Sequence, residues 1–516
     1  MPSTADSTDP QLPGTEQFIP LLEIVVTDEN LSLAWDRVRS NDGAPGVDGV
    51  DIRTFESDFA RQVALVQADV LALAYRPRPV RRIDVPKPSG GLRPLGIPTV
   101  RDRLVLEAIS QVLSPLWETT FSPNSFAYRP GRSAQDAVVK AQASLQAGRH
   151  WVVDLDIEGF FDHVDHLRLM LRLARRIDDA RLLDLIGDFL RAGSQRDHAP
   201  PEPTRIGLPQ GSPLSPLLAN IVLDELDQEL TRLGWPFVRY ADDCIILASC
   251  EAEGRAVLDF VAGFLEDRLK LKLNPHKTRL VCPADSAFLG FTYRIDRYGK
   301  VRRGVALPIL KAIKKRIAEV ARPEAGQSFI EMVARTAQLV HGWSIYYGIS
   351  EDRTLAVVRD FARAALRSTA WQLWSTADER CRQLTQRGVP ADQAEAAAAR
   401  LYLPGDSGPS RVLLLALPDA WFATFGLGDH RSRSARVNSP KASGLENDSL
   451  EPCLRKLAVA LVSTEIAHQP AAGPALAALT ALYGHLQVLF GRDRWPDLPV
   501  GSGAAAGLET IPATKP

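Results

Sequence analysis

The residues best placed to do chemistry are two adjacent carboxylates, Asp242 and Asp243. They stand inside the largely apolar run 237–249, Phe-Val-Arg-Tyr-Ala-Asp-Asp-Cys-Ile-Ile-Leu-Ala-Ser. Carboxylates in such a setting cost free energy unless cations pair with them. The β-branched and apolar arms on either side read as strands. The acids then sit near the tip of a tight hairpin, a way to hold divalent metal. Alone, an Asp-Asp pair would read as a solvated turn. A second acidic stretch shifts the balance: Trp151-Val-Val-Asp-Leu-Asp-Ile-Glu-Gly-Phe-Phe-Asp162 alternates, with Val153, Leu155 and Ile157 on one face and Asp154 and Asp156 on the other. Adjacent strands of one sheet would bring Asp156 beside Asp242 and Asp243. Three carboxylates around two Mg²⁺ ions suit in-line phosphoryl transfer, one ion activating a 3′-hydroxyl and the other holding a departing pyrophosphate. Phe161 could form the floor beneath a sugar. The alternative is that Phe161 is core and Phe160 faces the site, because neighbouring rings on a strand point to opposite faces.

Cations surround this acidic centre. Residues 80–98 read as two short strands flanking a Pro-Ser-Gly-Gly turn, with Lys87 before it and Arg93 after it. A hairpin can bring both to one side to clamp a triphosphate, Lys as a point charge and Arg as a bidentate fork; two solvated surface charges are the other reading. Arg129 and Arg132 flank a Pro-Gly loop ahead of a helix that Ser133 can cap. From Arg76 to Arg103 the net charge is +6, and from Arg294 to Arg316 it is +8, including Lys311, Lys314, Lys315 and Arg316. Two basic stretches around an acidic centre suggest a bound polyanion. The expected nucleic-acid contacts are Arg129, Arg132, Lys311, Lys314, Lys315 and Arg316.

The elements that must position these groups fit an ordinary globular chain. It has 516 residues, 45% hydrophobic and 24% charged, with net charge −1. The five cysteines are scattered without a Cys-x-x-Cys pair, so neither a zinc site nor a disulfide framework is indicated. No apolar run approaches the roughly 20 residues of a membrane span, and no secretion signal is visible; a cytoplasmic protein is expected. Residues 1–20 are polar and expected to be disordered. Asn41–Gly49 is an ordered loop between helical segments, or a plain turn. Helical spacing covers 101–118, 167–192, 251–269 and 307–400. Gly207-Leu-Pro-Gln-Gly-Ser-Pro-Leu-Ser-Pro leads into a helix ending near Leu233. It is neither a nucleophile elbow nor a Walker loop, since Gly-x-Ser-x-Gly and Gly-Lys-Ser/Thr are absent from it. Phe288 is expected to begin a short strand. Residues 432–447 look like a linker and 451–492 like an Ala- and Leu-rich helix.

Taken in order, Asn41–Gly49, Pro86–Pro98, Ser125–Val138, Asp156–Asp162, Gly207–Asn220, Tyr240–Asp243, Leu273–Thr278 and Phe288–Phe291 resemble reverse transcriptases. The resemblance is closest to the bacterial group II intron-encoded type, over roughly residues 20–350. It implies an α+β right-hand polymerase: a disordered segment 1–20, an N-terminal extension 21–75, fingers and an antiparallel palm sheet in 76–295, a helical thumb and maturase-like region in 296–400, and a mainly helical C-terminal extension 401–516 of no recognised kind. It implies RNA-directed DNA synthesis. Asp156, Asp242 and Asp243 would bind two Mg²⁺ ions, with Mn²⁺ as an alternative. Lys87 and Arg93 would hold the dNTP triphosphate, and Phe161 would be the gate against a 2′-hydroxyl. Gln210 and Gly211 would line the nucleotide pocket, Lys277 would assist pyrophosphate departure, and Phe288, Leu289, Gly290 and Phe291 would grip the primer. Partners would be an RNA template, a DNA or RNA primer, dNTPs and a structured intron or noncoding RNA, with no membrane. Residues 401–516 have no paired cysteines and nothing that resembles the Cys/His nuclease of many relatives, and form an unfamiliar extension. Host roles, antiphage defence or CRISPR-associated, therefore stand beside intron mobility, and an RNA-binding splicing cofactor is a further alternative.

Overall fold

The structure, a computed structural model, describes residues 20–86, 91–196, 199–323, 326–351, 353–399 and 410–428. Lys87, the linker expected at 432–447, the helix expected at 451–492 and nearly all of the expected disordered segment 1–20 lie outside these residues.

The described strands in chain order are β1 (Val80–Pro86), β2 (Leu92–Ile97), β3 (Trp151–Leu155), β4 (Ser194–Gln195), β5 (Phe237–Tyr240), β6 (Asp243–Ala248), β7 (Arg279–Val281), β8 (Phe291–Ile295) and β9 (Val301–Val305). They form three sheets, ordered β2-β1-β4, β5-β6-β3-β7 and β8-β9. The central four-stranded sheet is antiparallel throughout, with Tyr240 opposite Asp243, Leu155 opposite Cys244 and Asp154 opposite Arg279. Its alternation puts Val153, Leu155, Phe237, Cys244 and Ile246 into a core shared with the helices Val100–Glu118, Ser215–Arg232 and Glu251–Phe264. Burial of this apolar face, at about 25 cal/mol per Å², holds the sheet to its helices.

The helix Val100–Glu118 fits the spacing expected over 101–118. The region expected to be helical over 167–192 is two helices, His166–Leu173 and Ala180–Arg191, the second started by Asp179, whose carboxylate accepts from the backbone N–H of Arg181 and Leu182. That capping signal ends one helix and begins the next. The expected strand at Phe288 is instead a tight helical turn, Phe288–Gly290, with Leu289 at φ +51. The strand begins at Phe291.

The helices Leu307–Val320, Phe329–Tyr347 and Thr354–Leu373 build a second core around Ile317, Val358, Leu366 and Trp371. Leu413, Leu417, Phe422 and Leu427 belong to that core. The described part of the expected 401–516 extension is therefore packed with the helical region. The expected boundary between residues 295 and 296 falls inside the β8-β9 hairpin, which packs on the sheet side against the helix Ala134–Gln146.

Candidate active site

The hairpin that carries the acids is closed by two residues, Ala241 and Asp242, between β5 and β6. Ala241 adopts φ +58. Two-residue hairpins need a positive φ there, at a cost of about 1–2 kcal/mol for a residue with a Cβ. The strain is offset from below. Arg239, 1% exposed, donates from Nη1 to the Ala241 carbonyl and to Asn220 Oδ1, both at 2.9 Å. Its Nε and Nη2 meet the carboxylate of Asp227, 0% exposed, at 2.8 and 2.5 Å. Asn220 in turn donates to the Ala127 carbonyl at 2.9 Å. Three buried polar groups thus tie the acidic turn to the helix Ser215–Arg232 and to the loop holding Ala127 and Tyr128.

Asp242 and Asp243 are half-buried at this tip, and Asp156 follows the last residue of β3. Burial, then the charge of Asp154, then that of Asp242 push the Asp243 carboxyl up to about 7, with Asp156 adding to the same direction. The backbone N–H of Leu289 donates to Asp243 and opposes the rise. Asp154 is not one of the expected triad, yet it lies on the same strand face as Asp156 and acts on Asp243. It is paired with Arg279 at 3.1 Å across the β3-β7 register. Lys277 Nζ lies 3.1 Å from Asp156. Among the described residues no three acidic, cysteine or imidazole groups close around a single point; Lys277 is the cation paired with Asp156. The mutually repelling carboxylates, all hard oxygen donors, fit divalent metal in chemistry.

A cleft of 590 Å³ opens beside Asp242, lined by Arg93, Tyr128, Phe161, Gln210 and Gly211. Close backbone approaches assemble it. The Gly96 N–H donates to the Gln210 carbonyl at 2.7 Å, and that of Leu208 donates to the Phe161 carbonyl at 2.6 Å. At Gly211, φ +116, a Cβ would come within 2.7 Å of the Gly96 carbonyl, so only glycine lets this loop meet β2. Phe160 and Phe161 lie on a short helical turn, Phe160–His163, entered through Gly159 at φ +51, and not on a strand. Phe160 is 2% exposed in the core while Phe161 lines the cleft. The Asn41–Gly49 loop also lines the cleft, through Asn41, Gly43 and Ala44, and Arg103 donates to the Ala44 carbonyl.

Other expected contacts fall elsewhere. Arg129 is buried and fully engaged, by Glu118 at 2.8 Å and by the carbonyls of Ser122 and Ser125. It is a structural residue and not a nucleic-acid contact, because a guanidinium with these partners has no free face to offer. Arg132 donates to the carbonyls of Pro123 and Ser125 from a half-buried position. Of the four expected primer contacts, Phe288 and Phe291 are core rings and cannot reach a primer; Leu289 and Gly290 remain accessible. Tyr346 donates to the Leu289 carbonyl at 3.1 Å and Phe291 packs 5.1 Å from Tyr347, joining the helix Phe329–Tyr347 to the site. Lys311, Lys315 and Arg316 are exposed on Leu307–Val320, whereas Lys314 lies over the Phe361 ring at 5.4 Å. Tyr128, at φ +60 beside Asp242, is a cleft residue that sequence reasoning missed; the Tyr-Arg-Pro-Gly turn that presents it is visible in the sequence.

Residues 85–293 match the family described as reverse transcriptase (RNA-dependent DNA polymerase), and residues 310–388 match the group II intron maturase-specific domain. The chain is 33% identical over 353 residues to protein YkfC of Escherichia coli (strain K12), covering 60% of this chain and 91% of YkfC. It is 28% identical over 354 residues to the group II intron-encoded protein LtrA of Lactococcus lactis subsp. cremoris, covering 56% of this chain and 59% of LtrA, so it spans little more than half of that relative. It is 30% identical over 210 residues to the retron Mx65 reverse transcriptase of Myxococcus xanthus, covering 38% of this chain and 46% of that protein.

Proposed function

Since the chain belongs to the reverse transcriptases, in their bacterial group II intron-like branch, and is an RNA-directed DNA polymerase, we propose that Asp156, Asp242 and Asp243 form its catalytic centre. The observation that carries this is the strand register: Leu155 opposite Cys244 and Tyr240 opposite Asp243 put Asp156, Asp242 and Asp243 at the same end of adjacent strands, beside a cleft of nucleotide size. These residues would hold two Mg²⁺ ions, Mn²⁺ serving as an alternative; bound there, the metal supplies activation of the 3′-hydroxyl and charge neutralisation at the pyrophosphate.

The chain's own groups do the rest. Arg93, exposed at the cleft, pairs with triphosphate oxygens as a bidentate fork; Lys87 is proposed as its partner. The Phe161 ring occupies the space a 2′-hydroxyl needs. Gln210 and Gly211 present loop backbone to the nucleotide. Lys277, 3.1 Å from Asp156 and exposed, would meet the departing pyrophosphate. Leu289 and Gly290 position the primer end, with Leu289 also fixing Asp243. Lys311, Lys315 and Arg316 carry phosphates of the template–primer duplex, and Lys314 keeps the stem of that helix on Phe361.

The maturase-specific match at 310–388 favours a second role, association with a structured intron or noncoding RNA. No helix of the described residues is long and apolar enough to cross a membrane, and a cytoplasmic location is part of the proposal. The test is primer extension by the purified chain. With Mg²⁺ and dNTPs, a primer on an RNA template should lengthen to the template's end, and a primer without template should not. Failure on every RNA template, with RNA binding intact, would leave only the RNA-binding role.

A further inference from the structure

The β8-β9 hairpin presents a cationic, aromatic tip that the polymerase site does not use. Arg294 stands directly opposite Arg302 on its outer face. Like charges in that register destabilise a hairpin, and one acid, Asp296, offsets them through Arg302 at 3.2 Å. Among the described residues, Arg294, Arg297 and Lys300 have no carboxylate partner. Tyr298 is 78% exposed at the tip, with the Arg297 guanidinium 4.8 Å over its ring.

The tip is built to hold still. Asp296 accepts from the backbone N–H of both Tyr298 and Lys300, at 2.9 and 3.0 Å, and Gly299 takes φ +75. Gln146 donates to the Gly299 carbonyl at 3.1 Å and accepts from Val301 at 2.8 Å, so the helix Ala134–Gln146 braces the turn from below. Tyr293 and Val301 are buried on the inner face. An exposed aromatic ring on a rigid, basic support is how proteins stack unpaired bases while cations meet the backbone. The position matters as well. β8 starts two residues after Leu289, which bonds to Asp243; five strand residues at about 3.3 Å each carry the tip on the order of 15 Å from that start.

We propose that the Asp296–Lys300 tip is a second RNA site, in which an unpaired base stacks on Tyr298 while Arg294, Arg297 and Lys300 contact its phosphates, outside the duplex being copied. This deepens the polymerase reading and rests on it for the identity of the ligand.

The test uses the full chain and two fluorescent RNA–primer probes, one blunt and one carrying a 25-nucleotide single-stranded oligouridine extension. Tyr298→Ala should weaken binding of the extended probe about tenfold, the scale of removing one base–aromatic stack, and leave the blunt probe unchanged. Tyr298→Phe should bind like the wild type, because the ring is kept. Arg297→Glu should weaken the extended probe and flatten its salt dependence. Unchanged affinity for the extended probe in Tyr298→Ala overturns the proposal, and so does an equal loss on both probes. Tighter binding of an acidic peptide than of the extended probe assigns the tip to a protein partner and overturns it too. Primer extension by the wild type is scored separately. An inactive wild type that still shows Tyr298-dependent binding would sink the polymerase reading and keep this one.

Discussion

Replacing Asp227 by Asn should separate stability from activity at the acidic hairpin. The Asp227 carboxylate is, among the described residues, the one carboxylate hydrogen-bonded to Arg239, whose guanidinium is buried and otherwise meets two neutral oxygens, Asn220 Oδ1 and the Ala241 carbonyl. Removing one partner of a buried pair typically costs about 3–5 kcal/mol, because the other charge stays buried. Asn keeps one acceptor, so the expected loss lies near the lower end, about 3 kcal/mol, a large share of the roughly 5–15 kcal/mol that holds most folds together. The double variant Asp227→Leu, Arg239→Met removes both charges at similar volume and should recover most of that stability, since apolar replacement of a buried pair is often neutral. It should not recover activity, because nothing then bonds the Ala241 carbonyl and the strain of the turn is no longer offset. Urea unfolding midpoints and primer-extension rates on the same preparations measure both. A single variant within about 0.5 kcal/mol of the wild type, the scatter of ordinary surface changes, would refute the energetic reasoning. A double variant with wild-type rates would refute the positioning role.

Phe161→Ala should let the enzyme incorporate CTP alongside dCTP, shifting sugar selectivity by about one to two orders of magnitude, the equivalent of roughly 1–3 kcal/mol of steric overlap. Phe160→Ala should instead cost about 3–5 kcal/mol of stability, as for a buried ring, and leave the dCTP-to-CTP ratio unchanged; the reverse pattern in steady-state incorporation would move the gate by one residue. Charge reversal at Lys311, Lys315 and Arg316 should lower the slope of log affinity against log salt by about 2–3, near 0.9 for each phosphate left without its cation; an unchanged slope would remove that helix face from the nucleic-acid track.

The acidic hairpin was legible because its two carboxylates stand between apolar arms and a second acidic strand recurs upstream. The Gly207–Gln210 loop and the helix Val100–Glu118 were legible from their local sequence. What escaped depends on contacts distant in sequence. Asp154 and Asp156 share a strand face, and only the β3-β7 register shows that Arg279 pairs with one while Lys277 reaches the other. Arg129 looks solvated in any short window, and Glu118, eleven residues earlier, buries it. Phe160 and Phe161 read as strand because both are β-formers, but Gly159 in the left-handed region turns the chain into a helix first. The Phe288–Phe291 rings look like a contact surface and are core, since a turn with Leu289 at positive φ points its backbone outward instead. The basic residues from Arg294 to Arg316 read as one charged stretch, and it is the Asp296 turn that folds the first of them into a hairpin.

The most direct test of the catalytic centre is Asp242→Asn, assayed for both DNA synthesis and RNA binding. Losing this carboxylate removes a metal-binding group from the tip of the hairpin while leaving the Arg239–Asp227 support and the basic helix untouched. DNA synthesis on a primed RNA template should fall below detection, and affinity for the same RNA should stay within about twofold of wild type, since the metal supplies transition-state stabilisation and the cations supply binding. Synthesis near the wild-type rate in this variant would contradict the assignment of the site.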